Sequence, residues 1–463
     1  MMKLLQKLLA NPFILQSLWS LIARFTGVAL NFAVILVITN RLSKIEAGDL
    51  LLLMQFVTGV ALFSRLGIDQ LLIKEVASSH ESHSDFRSTY LKRSYFAVFS
   101  LSLVFIAIWL ILSPAIRSAF FDNGSDHIIS LSDLMLASIG VLFFNLVILN
   151  STYLKAIKKT VAGVLGQNAL PAVSFLFFIG IFWDYFTEKQ HYINLYTASN
   201  VLAGVLAVII TWRYLQPAMP AKKSNGNNEG NTDDNTGKES KAIKKPDAVP
   251  NVYAVIKKSM PLAPVSIFAY LMLFADTIMV GWFLTNDQVA NYSVAAKLSY
   301  IILFFLQALE ATIYPRLLNT AKQNPDRLPG FFWQSTSLVI GVVSVVTLVM
   351  YLFSDWILVA FGESYTVAKH ALGLLLLAQL LRSASLTFSF MFIIREKVRY
   401  LNIILVVSLI INLLCNIIFI KMYGIEGAAL ATLIANGILL FSVLGLFYLK
   451  KLLLQKTTRE QIA

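Results

Sequence analysis

The sequence predicts an all-α membrane protein, with twelve transmembrane helices arranged as two six-helix halves around a central cleft. Composition is the first reason: 57% of the 463 residues are hydrophobic and 14% charged, with a mean hydropathy of +0.71. Soluble domains carry roughly 25% charged residues. The second reason is length, because apolar segments long enough to cross a hydrocarbon core, about 20 residues, recur along nearly the whole chain. The third is their grouping, six on either side of one polar stretch, Pro217 to Pro250.

Taken in order, the spans of the first half are predicted at 13–39, 47–72, 94–113, 128–154, 161–183 and 193–215. The first is too long for the apolar region of a cleavable signal peptide and lacks a small-residue cleavage site, so it is expected to stay as a span. Pro171 interrupts the fifth, where a missing backbone hydrogen bond permits a kink. The second half follows at 259–283, 288–314, 331–353, 368–394, 400–420 and 427–449, with Pro261 and Pro264 interrupting the start of the seventh span. The expected divisions are a six-helix half over 1–216, a flexible linker over 217–250, a second six-helix half over 251–450 and a tail over 451–463. Asn225 to Lys245 is rich in Asn, Gly, Lys, Asp and Glu and has no aromatic residue, so it cannot bury enough apolar surface to order itself.

A weak internal repeat relates the halves. Arg41 to Asp49 joins the first two spans, and Phe283 to Asn291 joins the seventh and eighth at the same offset that places Lys74 on Arg316. Both halves start on the same side, so the repeats are parallel, and such pairs enclose a cleft that can open to either side in turn.

Lys and Arg concentrate in alternate connections, which by the positive-inside rule puts both termini and the linker in the cytoplasm. The net charge of +13 is therefore a topology signal, and no nucleic acid partner is expected. Cys415 is the only cysteine, which excludes an intrachain disulfide and thiolate metal clusters. The five histidines, His80, His83, His127, His191 and His370, fall in or beside loops without acidic partners at metal-ligand spacing, and read as surface residues. No Walker A, GxSxG or HExxH motif occurs. Transport therefore outranks catalysis, no enzyme activity is expected, and neither is a cofactor or a metal.

The candidate site follows from what is expensive in lipid. A charge at a helix centre costs about 2.5–3.5 kcal/mol on insertion scales, so it faces a cavity or a partner. Arg24, Arg65, Lys297 and Arg382 lie within spans, each on a polar stripe at helical spacing. Asn31 shares the stripe of Arg24, Asp69 that of Arg65, and Tyr300 that of Lys297. These stripes argue for a wet, positively charged interior in which Arg24, Lys297, Arg382, Arg65, Asn31 and Tyr300 contact substrate. Alternatives stay open at this stage: Arg65 one turn from Asp69 also fits a structural ion pair, and Lys297 and Arg382 could neutralise Asp276 or Glu310. Asp276, midway along the seventh span, reads as a counter-ion or a coupling group, as does Asp69.

The order of several segments resembles the bacterial polysaccharide transporters of the multidrug/oligosaccharidyl-lipid/polysaccharide exporter superfamily, the flippases of O-antigen and capsule repeat units. The segments are Arg41-Leu42-Ser43, Leu66-Gly67-Ile68-Asp69 running into Lys74-Glu75-Val76-Ala77, Asp276 followed by Gly281, Tyr292 to Ser299, Phe361 to Tyr365, and Tyr423 to Ala431. The resemblance implies flipping of an undecaprenyl-pyrophosphate-linked oligosaccharide from the cytoplasmic to the periplasmic leaflet of the bacterial inner membrane, among membrane lipids, with a polysaccharide polymerase and a chain-length regulator as protein partners. It also implies that the first, second, seventh and eighth spans line the cleft. Thr277 stands where many relatives have Arg, and murein-precursor flippases of the superfamily are expected to have fourteen spans. Two other readings compete: a cation-coupled multidrug exporter of the same fold, and a scaffold of a synthesis complex that transports nothing.

Overall fold

The computed structural model describes residues 12–79, 84–121, 129–184, 189–215 and 250–450; most of the expected linker, the tail 451–463 and His80, His83 and His127 lie outside them. Among the described residues there are sixteen α-helices, three short 3-10 turns and no strand. The first half contains α1 (Pro12–Arg41), α2 (Lys44–Arg65), α3 (Ile68–Ser78), α4 (Ser84–Phe120), α5 (Leu131–Ala156), α6 (Thr160–Asn168), α7 (Leu170–Ile181) and α8 (Lys189–Leu215). A short helix, α9 (Val252–Ser259), leads into α10 (Ala263–Phe283), α11 (Asn286–Ser299), α12 (Ile301–Gln323), α13 (Leu328–Leu352), α14 (Ser354–Ala360), α15 (Lys369–Ile394) and α16 (Val398–Leu449).

The chain is a multi-pass membrane protein. Nine helices among the described residues are long and apolar enough to cross a membrane, ten if α6 and α7, bent by 49°, count as one span. The expectation of twelve differs for two reasons. α16 runs through both of the last expected spans, broken only at Gly424, whose φ of 60° is not helical. The seventh falls on α10, 21 residues over Ala263–Phe283 behind a 3-10 turn, Met260–Leu262, at Pro261; only its stretch Tyr270–Phe283 enters the count, as a shorter apolar helix.

Local chemistry explains the other boundaries. Ser43 caps α2 by accepting from the Glu46 N–H while the Glu46 carboxylate takes the Ser43 N–H, and Ser130 with Asp133 repeats this at α5. Pro171 at the start of α7 marks the bend from α6. The second expected span, 47–72, is split, since Leu66 and Gly67 both adopt left-handed φ, 43° and 76°. At Gly67 the reason is close approach, because a Cβ there would lie 2.8 Å from the Ala263 nitrogen and 2.9 Å from the Leu262 carbonyl carbon.

Packing inverts the soluble pattern. Large apolar side chains such as Ile111, Trp212 and Phe441 are exposed, as suits a surface facing lipid, while Asp49, Arg65 and Asp276 are buried. The main core joins both halves, with Leu50 to Leu53 of α2 packed with Val289, Ala290 and Val294 of α11. These two helices follow the repeat-related turns. A second core gathers Ile68, Leu72, Val76, Tyr90 and Leu91 of the first half around Val255 of α9.

The two ends of the bundle are held differently. At the far end, away from the linker, a Cβ on Gly48 would fall 1.7 Å from the Asn286 carbonyl oxygen, and the Asn286 side chain donates to Asp49. Asn40 donates to the Ala360 carbonyl at 3.0 Å and Lys44 to that of Ser364 at 2.8 Å. Glycine at 48 thus lets the two halves meet backbone to backbone. At the linker end Arg93 donates to the Pro250 carbonyl at 2.6 Å and Lys258 lies 4.0 Å from Glu75, fastening α9 to the first half.

Candidate functional site

Two polar clusters lie within the bundle. In the second half, α10 carries Asp276, which is 8% exposed. Its Oδ1 accepts from Asn416 Nδ2 at 2.6 Å, and its Oδ2 from the Tyr292 hydroxyl at 3.2 Å and from the Thr432 hydroxyl. A cavity of about 20 Å³ adjoins it, lined in part by Tyr300, Gln379, Arg382, Asn412 and Thr432. That is room for about one water molecule. The Gln379 side-chain carbonyl oxygen, buried on this lining, has no hydrogen-bond partner among the described residues.

Tyr300, at the junction of α11 and α12, turns its hydroxyl to the Leu273 carbonyl. Lys297, one turn earlier, and Arg382, midway along α15, are both half-buried. Neither makes a hydrogen bond to, or comes within 4.0 Å of a carboxylate of, any described residue. The alternative that they neutralise Asp276 as buried pairs is not what the structure shows, since neutral donors satisfy that carboxylate.

In the first half Arg65 is 5% exposed and committed. Its Nη1 donates to Asn145 Oδ1 at 2.6 Å, and Asp69 lies 3.9 Å from its Nε. Asn145 in turn donates to Ser64 at 2.7 Å and Ser102 at 2.9 Å, so Arg65 and Asp69 belong to a network that ties α2, α3, α4 and α5 together. Asn31 is committed as well, donating to the Gly27 carbonyl at 2.7 Å and the Asn168 carbonyl at 2.8 Å, which pins α1 to the bend between α6 and α7. Arg24 is half-buried on α1, within electrostatic reach of Lys155 of α5 and of Glu310 on α12. Beside it Phe25 meets Phe305 edge to face at 5.6 Å, so α1 and α12 form a further contact between the halves. A larger apolar recess of about 800 Å³ opens between α5, α7 and α8, away from these charges.

Residues 15–321 match the family model described as "Polysaccharide biosynthesis protein". The chain belongs to that family. The chain also matches the MatE model over residues 261–418. It is 28% identical over 231 residues to the "Probable low-salt glycan biosynthesis flippase Agl15" of Haloferax volcanii, covering 48% of this chain and 47% of that one. The match thus spans about half the length of that curated relative. Among solved structures it resembles the lipid II flippase MurJ in an inward closed conformation, with a TM-score of 0.69 and 14% identity over 95% of this chain and 89% of that one. An inward-facing multidrug resistance transporter of the MATE family follows at a TM-score of 0.64, with 16% identity over 93% and 97%. These two likenesses concern the fold.

Sequence reasoning missed several members of the clusters. Asn412 and Asn416 repeat at helical spacing in one apolar helix, a signal that was available. Thr432 and Asn145 carry no such mark among many apolar neighbours. The predicted fourth span stops at 154 and so leaves Lys155 in a connection, yet its ammonium donates to the Gln167 side chain.

Proposed function

We propose that this protein is a flippase that carries a lipid-linked oligosaccharide between leaflets, its anionic headgroup held by Lys297 and Arg382. One observation carries the reading: two cations deep in α11 and α15 have no carboxylate partner among the described residues. Cations kept unpaired at such depth suit a cargo that brings the negative charge, and a guanidinium matches phosphate oxygens in bidentate fashion. Membership of the family supports this, as does the glycan biosynthesis flippase of Haloferax volcanii to which half of the chain is similar.

In finer detail, the cargo is an undecaprenyl-pyrophosphate-linked repeat unit for O-antigen, capsule or a related polymer. It moves from the cytoplasmic to the periplasmic leaflet of the inner membrane. Twelve spans, with termini and linker cytoplasmic, form two halves over 1–216 and 251–450 that rock about a central cleft. Arg24 and Tyr300 line the path, while Arg65 and Asn31 hold the first half in shape. Asp276 is the carboxylate assigned to ion coupling, with Asp69 as a secondary candidate. A polymerase and a chain-length regulator receive the product.

The MatE match favours a second reading, a multidrug exporter of the same fold. A cationic drug would meet two like charges in the second half, so the anionic cargo is preferred. The test is complementation of a flippase-null strain by Lys297→Ala and Arg382→Ala at matched protein levels. Loss of surface polymer with the lipid-linked repeat left in the cytoplasmic leaflet supports the flippase. Full polymer from the double variant would leave the scaffold or drug exporter.

A further inference from the structure

We infer that the exposed face of α9, carrying Tyr253, Lys257, Lys258 and Met260, is a docking surface for anionic phospholipid headgroups of the leaflet at the linker end. The inference goes beyond the flippase reading and does not depend on it.

α9 has two unlike faces. Asn251 caps it by accepting from the Ala254 N–H at 2.8 Å, so the helix starts directly after the linker. Val255 and Ser259 are buried, and Val252, Ile256 and Leu262 pack around the second core with them. Tyr253, Lys257 and Met260 follow one another four and three residues apart, on the stripe that faces away from that core. Tyr253 is 72% and Met260 56% exposed. The more apolar side is thus already taken by the protein. What remains is an aromatic ring, a thioether and two ammonium groups, the mixture that suits the boundary between hydrocarbon and water.

The neighbouring helix puts this face at that boundary. On α4 the exposed side chains Phe96, Phe99 and Leu103 form the stripe that meets hydrocarbon, and exposed Lys92 stands about 6 Å before Phe96 on the same stripe. Arg93, the next residue, donates to the Pro250 carbonyl at 2.6 Å. The start of α9 is therefore fastened where the apolar stripe of α4 ends.

The charge at this level is one-sided. From Pro250 to Ala275 the sequence has no Asp or Glu. Among the described residues no carboxylate lies within 4.0 Å of Lys257. Lys258 lies 4.0 Å from Glu75 but keeps 56% of its side-chain surface exposed. A row of lysines at headgroup depth is complementary to anionic lipid, and the surface potential of such a leaflet draws basic residues to it. Because α9 is bonded to the first half and runs through Met260–Leu262 into α10, bound headgroups would hold the junction of the two halves at the membrane surface.

The experiment attaches an environment-sensitive fluorophore to Tyr253→Cys in a Cys415→Ser background and titrates the phosphatidylglycerol fraction of phosphatidylcholine nanodiscs holding the full chain. Emission should shift to the blue and saturate. Lys257→Gln with Lys258→Gln should raise the half-saturating fraction at least fivefold, on a scale of about 1 kcal/mol for each basic residue near an anionic surface. Lys257→Arg with Lys258→Arg should stay within about twofold of wild type, which separates lost charge from an altered helix. Emission that ignores phosphatidylglycerol, or equal curves for wild type and the double Gln variant, overturns the docking surface. Farnesyl diphosphate added at saturation tells the two kinds of headgroup apart: an unmoved signal supports phospholipid, and reversal of the shift overturns that assignment in favour of the cargo.

Discussion

Gly48→Ala tests whether the far-end seam governs which side of the protein is open. The new Cβ would sit 1.7 Å from the Asn286 carbonyl oxygen and 2.7 Å from its carbon, where ordinary contact begins at 3.4 Å. α2 and α11 must therefore separate by more than about 1.5 Å, since packed interiors have no slack to absorb it. The Asn286 to Asp49 bond lies on the same seam and would be stretched with it. Overpacking of this kind costs about 1–3 kcal/mol, which corresponds to a shift of about 5–150-fold against the closed state. The assay uses Ala290→Cys in a Cys415→Ser background. Ala290 is 0% exposed, and its backbone nitrogen would lie 3.3 Å from the added Cβ. In purified protein, thiol labelling at 290 should rise at least fivefold with Gly48→Ala while the thermal transition persists. Unchanged labelling in a folded variant would refute the idea that backbone contact at 48 holds the far end shut.

Other outcomes follow from the same geometry. Asp276→Ala should lower stability by about 1–3 kcal/mol, because Asn416, Thr432 and Tyr292 lose a shared acceptor; Asp276→Asn should recover most of the thermal midpoint yet abolish any dependence of flipping on a proton or sodium gradient, and a gradient dependence that survives would remove Asp276 from coupling. Asn145→Ala should destabilise the first half by about 1.5–3 kcal/mol by stripping Arg65 of its charge-assisted bond, read as a lower midpoint with unchanged headgroup affinity. Gly67→Ala places a Cβ against Leu262 and Ala263 at a φ of 76° and should cost about 1–2 kcal/mol or more, visible as faster proteolysis near α9.

The class of fold was legible because lipid imposes a coarse, additive signal: a span needs length and apolarity, and α1, α5 and α8 carry both. Breaks were legible only where chemistry marks them. Pro171 and Pro261 announce a bend, but the interruption at Leu66 and Gly67 depends on the approach of residues 259–263, which lie far away in sequence. The same limit applies to the site. Arg65, Lys297 and Arg382 look alike as charges in apolar helices. Only three-dimensional packing separates Arg65, tied to Asn145 and Asp69, from the two cations that lack such partners. Asn31 was readable as polar on a helical stripe, whereas its role as a strut to Asn168 was not. Lys155 escaped because helix ends drift by a residue or two in any sequence reading, and its bond to Gln167 depends on how closely α6 approaches.

The central claim is that Lys297 and Arg382 carry the anionic headgroup of a lipid-linked oligosaccharide across the bilayer. Its most direct test is leaflet-resolved flipping of a polyprenyl-diphosphate oligosaccharide in vesicles reconstituted with the wild-type chain or with Lys297→Ala/Arg382→Ala. The account predicts rapid exchange with wild type and loss of at least tenfold in the double variant, consistent with about 1.5–3 kcal/mol for each charge-assisted contact removed. Equal flipping rates in the two, with both proteins folded and equally incorporated, would contradict it.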